Sequence, residues 1–167
     1  MKNKENKRSN KSAAETAYAY LASLMRTVAE MEKHLAEKGY DRDEIRETID
    51  ELKANRYLDD QQYALRYFEY NHEKRRGTLR AVRELEEKGL DSETIRNARE
   101  DFMYENSIDE FSDAIEEAEK LLSISGHRGP ADEKLAASIA RKLERKGFAR
   151  DTIFKVLGRI RNGEPEI

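Results

Sequence analysis

Apolar residues return at helical spacing along nearly the whole chain. Stripes such as Val28/Met31/Leu35, Phe111/Ala114/Ile115/Ala118/Leu122 and Ile153/Val156/Leu157/Ile160 keep to one face of a 3.6-residue turn. With the caps between them, they predict nine helices, over residues 13–25, 28–38, 42–55, 60–74, 79–88, 92–106, 110–123, 131–146 and 150–161.

The interruptions repeat too. Leu35-Ala36-Glu37-Lys38-Gly39-Tyr40 returns as Leu85-Glu86-Glu87-Lys88-Gly89-Leu90 and as Leu143-Glu144-Arg145-Lys146-Gly147-Phe148. In each, glycine ends a helix in the left-handed conformation and the next apolar residue folds back on the last turn. A new helix then starts at a cap: Asp41 with Glu44 as a capping box, and Asp91 with Thr94. Tyr40/Ile45, Leu90/Ile95 and Phe148/Ile153 stand in hydrophobic-staple relation and fix the angle of each corner. The third corner has Ala149 in place of Asp, which predicts a cap weaker by about 0.5–2 kcal/mol. A second signal, Tyr57-Leu58-Asp59-Asp60, is echoed by Ser107-Ile108-Asp109-Glu110. Asp59 and Asp109 read as N-caps, Asp59/Gln62 and Thr27/Glu30 as capping boxes, and Leu58/Tyr63 as a staple.

The fold class that follows is all-α: three tandem three-helix repeats over 13–56, 57–106 and 107–161, burying their stripes on one another. A basic disordered tail is expected over 1–12 and a short tail over 162–167. Gly39 and Gly89 are 50 residues apart but Gly89 and Gly147 are 58 apart, so an insertion lies near 125–132. Gly126-His127-Arg128-Gly129-Pro130 is expected as the most mobile internal loop, with Pro130 in the first turn of a helix.

Composition sharpens this picture. Charged residues reach 40% against 37% hydrophobic, with only 2 Pro, which describes long salt-bridged helices in an elongated monomer with no thick interior. The chain has no cysteine, which excludes disulfides, Cys-ligated zinc and thiol nucleophiles. Residues 1–12 lack the apolar core of a signal peptide and no run is long enough to span a bilayer, so a cytoplasmic, membrane-free protein is expected.

The net charge of −3 hides segregation of sign. Residues 100–119 hold nine carboxylates and no Lys or Arg, while 66–83 hold six basic residues against two acids and 141–161 eight against two. Lys74, Arg75, Arg76, Arg80 and Arg83 form one candidate binding face, and Arg141, Lys142, Arg145 and Lys146 a second. Each reads either as a solvated helix face or as a contact for phosphate or an acidic protein groove. Tyr63, Tyr67, Phe68 and Tyr70 read as a core stripe, with Tyr70 the most exposed, or alternatively as a platform for bases. Catalytic chemistry is not expected: His34, His72 and His127 are scattered, the Gly126–Gly129 segment lacks the Lys and Ser/Thr of a phosphate loop, and capping accounts for Asp59 beside Asp60 without an ion. The reading is therefore a binding protein, not an enzyme, with no metal or cofactor.

At this point the residues resemble a known family. Arg26-Thr27-x-x-Glu30-Met31, the thrice-repeated Leu-x-x-Lys-Gly corner (Gly39, Gly89, Gly147), and Tyr57-Leu58-Asp59-Asp60 leading to Tyr63-Ala64 resemble RecX, bacterial regulators of the RecA recombinase. The likeness runs from about residue 17 to 160. Arg56 stands where the family usually has glycine, Gln62 where it often has arginine, and Thr27 and Met31 replace Ser and Leu. What the resemblance implies is a curved array in the groove of the RecA filament on single-stranded DNA. There it would inhibit ATP hydrolysis, strand exchange and coprotease activity, and so regulate repair, recombination and the SOS response. The alternative is a helical DNA-binding protein that acts through its basic faces without RecA.

Overall fold

A computed structural model describes residues 11–126 and 129–162, and all regular structure among them is helical. The helices are α1 (Ala13–Leu21), α2 (Val28–Glu37), α3 (Arg42–Ala54), α4 (Asp60–Glu73), α5 (Thr78–Glu87), α6 (Ser92–Glu105), α7 (Glu110–Ser125), α8 (Glu133–Lys146) and α9 (Arg150–Asn162). Substantial helix–helix packing joins α1–α3, α4–α6 and α7–α9, giving three units.

The corners form by one mechanism. Gly39, Gly89 and Gly147 have φ of 88°, 85° and 91°. The amide of the residue after each returns to the carbonyl five residues back: Tyr40 to Leu35 at 3.3 Å, Leu90 to Leu85 at 3.2 Å and Phe148 to Leu143 at 3.1 Å. The ends of α3, α4 and α6 close in the same way, with Arg56, Arg75 and Ser107 at φ of 57°, 53° and 49°. These three corners carry a Cβ in the left-handed region, where it crowds the following carbonyl.

Capping fixes the starts. Thr27/Glu30 and Asp41/Glu44 are reciprocal boxes, and Ser12/Glu15 is a third that begins α1. Asp59 caps α4 through the Gln62 amide alone, and Asp91 takes both the amide and the hydroxyl of Thr94.

Each unit has its own core. Met31, Leu35, Tyr40, Ile49, Leu52 and Leu58 centre the first, and Phe68, Leu85, Leu90, Ile95 and Phe102 the second. Ile139, Leu143, Phe148, Ile153 and Val156 centre the third. The apolar stripes are thus spent inside units and not between them, contrary to the sequence expectation, because three helices at these angles already enclose their apolar faces. Leu58 closes the first core and Ile108 packs against the second, so each linking loop clips onto the unit before it.

Units join through polar backbone at helix ends instead. At the first junction Thr27 Oγ1 donates to the Lys88 carbonyl at 2.9 Å, and the Val28 amide donates to Asp60 Oδ1 at 2.9 Å. At the second, the Gly77 and Leu79 amides donate to the Lys146 and Gly147 carbonyls at 3.0 and 3.2 Å, and the Thr78 amide to Glu110 Oε1 at 2.7 Å. A corner of one unit and the first-turn carboxylate of its α4 or α7 therefore occupy the N-terminus of the preceding unit's middle helix. The geometry is tight: a Cβ on Gly89 would lie 2.4 Å from Ala29 Cβ, and one on Gly147 2.5 Å from the Arg80 amide nitrogen.

Two helix starts and stops differ from the expected ones. α1 ends at Leu21, not 25, because Leu24 and Met25 extend the helical stripe but have no core to enter and are left exposed. Pro130 does not enter the first turn of α8: Asp132 caps that helix through the Leu135 amide, and the Ala131 amide bonds Ile160 O at 2.9 Å. Of the expected tails 1–12 and 162–167, residues 1–10 and 163–167 lie outside the described residues, as do His127 and Arg128 in the inserted loop, whereas Ser12 caps α1 and Asn162 ends α9.

Candidate interaction surface

The two predicted basic faces separate into three groups. Arg75 Nη1 lies 3.1 Å from both Asp113 and Glu116, and His72 Nδ1 lies 3.1 Å from Asp113. Lys146 bridges Glu117 at 2.8 Å and donates to the Arg75 carbonyl at 3.3 Å, and Arg80 bridges Glu84 at 2.8 Å. Arg75, Arg80 and Lys146 are thus engaged within the protein. Asp113 and Glu116 of the acidic run neutralise the start of the basic stretch across the second junction. Single exposed pairs of this kind contribute about 0–1 kcal/mol, and the one carboxylate of Asp113, shared by Arg75 and His72, makes this set a network.

A second group borders two adjoining grooves. One, about 310 Å³, is lined by Ala140, Arg141, Glu144, Arg150, Phe154 and Leu157; the other, about 260 Å³, holds Leu79, Val82, Arg83 and Phe148 and shares Glu144 and Arg150. Phe154 is 72% exposed, an uncommon state for a large aromatic. Arg83, Arg141, Lys142 and Arg145 are exposed and form no ion pair with a described residue. Arg150 is among the basic residues of 141–161 but not in the second predicted face, because it sits four residues beyond Lys146 and reaches that face only through the corner at Gly147.

The third group surrounds the tyrosines of α4. Lys74 Nζ and the Arg76 guanidinium lie 5.7 and 5.9 Å from the Tyr70 ring centre. Tyr63, Tyr67 and Tyr70 follow one another with ring centres 6.1 and 6.3 Å apart, while Phe68 turns inward to stack on Phe102 at 5.9 Å. The stripe is therefore two faces: Phe68 is core, and the tyrosines are partly open with Tyr70 the most exposed of them. Tyr67 donates to Glu84 Oε2 at 2.8 Å, and burial together with that carboxylate pushes its phenol up to about 12. Burial opposes the charge of Glu84, yet the hydrogen bonds from Tyr67 and Arg80 hold it below its ordinary range. Burial likewise opposes Lys88, but Glu30 at 2.9 Å and the neighbouring Tyr63 raise it to about 12. Arg66 was the legible miss, since it stands three residues after Tyr63 and four before Tyr70; Arg26 reaches the same face only through the fold.

The motif residues are structural. Tyr57 meets Tyr18 edge-on at 5.2 Å, Leu58 is buried and Asp59 caps α4. Asp60, beside Asp59, accepts from α2 of the preceding unit; burial raises its pKa against the pull of the Val28 amide. No group of His, Asp or Glu able to hold a metal ion occurs among the described residues, and no described helix is long and apolar enough to cross a membrane.

Fold and surface together define a tandem three-helix-repeat protein whose units dock corner to helix end and whose outer faces carry cation-lined grooves. Residues 13–52 match the family model for the first three-helix domain of RecX, and residues 59–98 that for the second. The chain is 34% identical over 146 residues to regulatory protein RecX of Bacillus subtilis, covering 86% of this chain and 53% of that one. It is 35% identical over 143 residues to that of Bacillus licheniformis, covering 84% and 52%. It belongs to the RecX family. The chain spans about half the length of these curated relatives. The crystal structure of RecX from Lactobacillus salivarius has the same fold, with a TM-score of 0.76 and 24% identity over 89% of this chain and 94% of that one. A second crystal structure of a regulatory protein RecX superposes with a TM-score of 0.70 at 21% identity, over 87% of this chain and 70% of that one.

Proposed function

We propose that this chain is a cytoplasmic regulator of RecA that lies along the RecA filament on single-stranded DNA and inhibits its ATPase, strand-exchange and coprotease activities. It thereby tunes DNA repair and recombination. Membership of the RecX family supports the partner. The observation that carries the mode of action is the docking between units: two junctions of one geometry make a repeating ruler, suited to a partner that itself repeats. No reacting centre is required, because occupying the filament is enough to block it.

The contacts are assigned to Arg83, Arg141, Lys142 and Arg145, with Arg150 and Phe154 beside them, and to Lys74 and Arg76. Arg75 and Lys146 hold the second and third units together, and Arg80 orients Glu84 within α5. The test is the ATPase of RecA on single-stranded DNA, titrated with the purified chain. Inhibition that saturates is expected, weakened at least severalfold by exchanging Arg83, Arg141 and Arg145 for Glu with helix content unchanged. An ATPase rate untouched by excess chain contradicts the proposal.

A further inference from the structure

Three tyrosines in a row on α4 keep part of their rings open, Tyr63 and Tyr67 while packing on the rim of the second core and Tyr70 at 45% exposure. Ala64, Phe68 and Asn71 are buried on the core side of α4, whereas Tyr63 and Tyr67 flank that side half-buried and Tyr70 is exposed. Arg66 and Lys74 lie on the same face as the rings, at helical spacing from Tyr63, Tyr67 and Tyr70. Arg76 reaches the Tyr70 ring from the α4–α5 loop. At the other end a groove of about 320 Å³ is lined by Leu24, Met25, Arg26, Tyr63, Arg66 and Tyr67.

The cations here are of two kinds. Lys88 and Arg80 are matched by Glu30 and Glu84. Arg26, Arg66, Lys74 and Arg76 form no ion pair with a described residue, so the face carries uncompensated positive charge beside aromatic rings. The rings are also held in place: the Tyr67 hydroxyl is anchored on Glu84, which Arg80 in turn orients.

We propose that this face of α4 binds single-stranded nucleic acid, with unpaired bases stacking on Tyr63, Tyr67 and Tyr70 and phosphates meeting Arg26, Arg66, Lys74 and Arg76. A single strand is the ligand whose chemistry uses both features. Its bases offer open π-faces that any aromatic platform accepts, and its backbone supplies the charge. A duplex hides those faces in its own stack, and an acidic peptide satisfies the cations but leaves the rings unused. The eleven residue steps from Tyr63 to Lys74 rise about 16 Å, the length of about five stacked nucleotides. This goes beyond the RecA reading, since the face needs no RecA to act.

The test uses the whole chain and a fluorescein-labelled oligothymidylate of about twenty nucleotides at low salt, without RecA. Anisotropy reports binding, and the absence of Trp lets intrinsic tyrosine emission report stacking through quenching. Binding with quenching is expected. Tyr70→Ala weakens it about tenfold, in line with the loss of one base stack, while Tyr70→Phe retains it. Arg76→Gln leaves the quenching at saturation intact but lowers the slope of log affinity against log salt by about 0.7. Undetectable binding, equal affinity for a duplex or for an abasic strand of the same charge, equal competition by polyglutamate, or wild-type affinity in Tyr70→Ala each overturns the proposal. Because the RecA ATPase is measured separately, inhibition that persists without binding to bare strand sinks this inference alone.

Discussion

The two junctions between units use one geometry with different chemistry. At the first, a threonine hydroxyl on the α2 cap reaches the Lys88 carbonyl, and a single ion pair, Lys88 to Glu30, supports it. At the second, the cap is Gly77, whose own amide makes the equivalent bond to Lys146, and a Cβ there would lie 2.3 Å from the Gly147 carbonyl oxygen. Around it Arg75, His72 and Lys146 meet Asp113, Glu116 and Glu117. The difference teaches what a repeat array must keep and what it is free to change. The carboxylate and carbonyl at the helix end are kept, because buried amides left without acceptors cost about 1–3 kcal/mol each. How closely the backbones approach, and how many charges surround them, is adjustable.

That comparison is broken most severely at the glycines. Gly147→Val is expected to destabilise by about 2–5 kcal/mol, since left-handed strain adds to a clash with backbone that cannot move aside. Gly89→Val is expected to cost less, about 1–3 kcal/mol, because its obstacle is the Ala29 side chain at the looser junction. Urea melts followed by circular dichroism decide it; equal losses at the two sites mean the junctions do not differ in tightness.

High pH separates the chemistries next. Tyr67 keeps its proton, and Lys88 its charge, to about pH 12 in the folded chain, above their ordinary values of 10.0 and 10.5. Both contributions are therefore fully present below about pH 10 and are lost as pH rises toward 12. Thermal melts across pH 9–12 are expected to fall, and less steeply in a Tyr67→Phe/Lys88→Met variant. A parallel fall in both proteins removes these two groups from the account.

The smallest effect sharpens the corners. Arg56→Gly releases the left-handed strain at φ 57° and leaves both junctions intact, so it is expected to stabilise by up to about 1 kcal/mol, read as a higher melting temperature. The same exchange at Arg75 also removes its ion pairs and is expected to give less. A drop in melting temperature for Arg56→Gly contradicts the strain.

Local chemistry explains why much of the fold could be read in advance. Gly39, Gly89 and Gly147 announce left-handed corners, and Thr27/Glu30 and Asp41/Glu44 announce helix starts, because each signal involves residues within about four positions. What joins the units is not local. Asp60 accepts from Val28, 32 residues away, and Arg75 finds Asp113 38 residues on, so no spacing rule distinguishes a bound cation from a free one. For that reason one basic stretch, Lys74 to Arg83, divided among a junction, a tyrosine face and a groove. The run at Leu24 and Met25 misled for the opposite reason: the local pattern was helical, and only the absence of anything to pack against ended α1.

The central proposal is that the RecA filament holds this chain far more strongly than bare DNA does. Retention of the purified chain is to be compared on immobilised single-stranded DNA with and without RecA and a non-hydrolysable ATP analogue, at near-physiological salt. The account predicts strong retention on the filament, weak retention on bare strand that fades as salt rises, and loss of filament retention in the Arg83/Arg141/Arg145 reversal. Retention that is the same with and without RecA contradicts it.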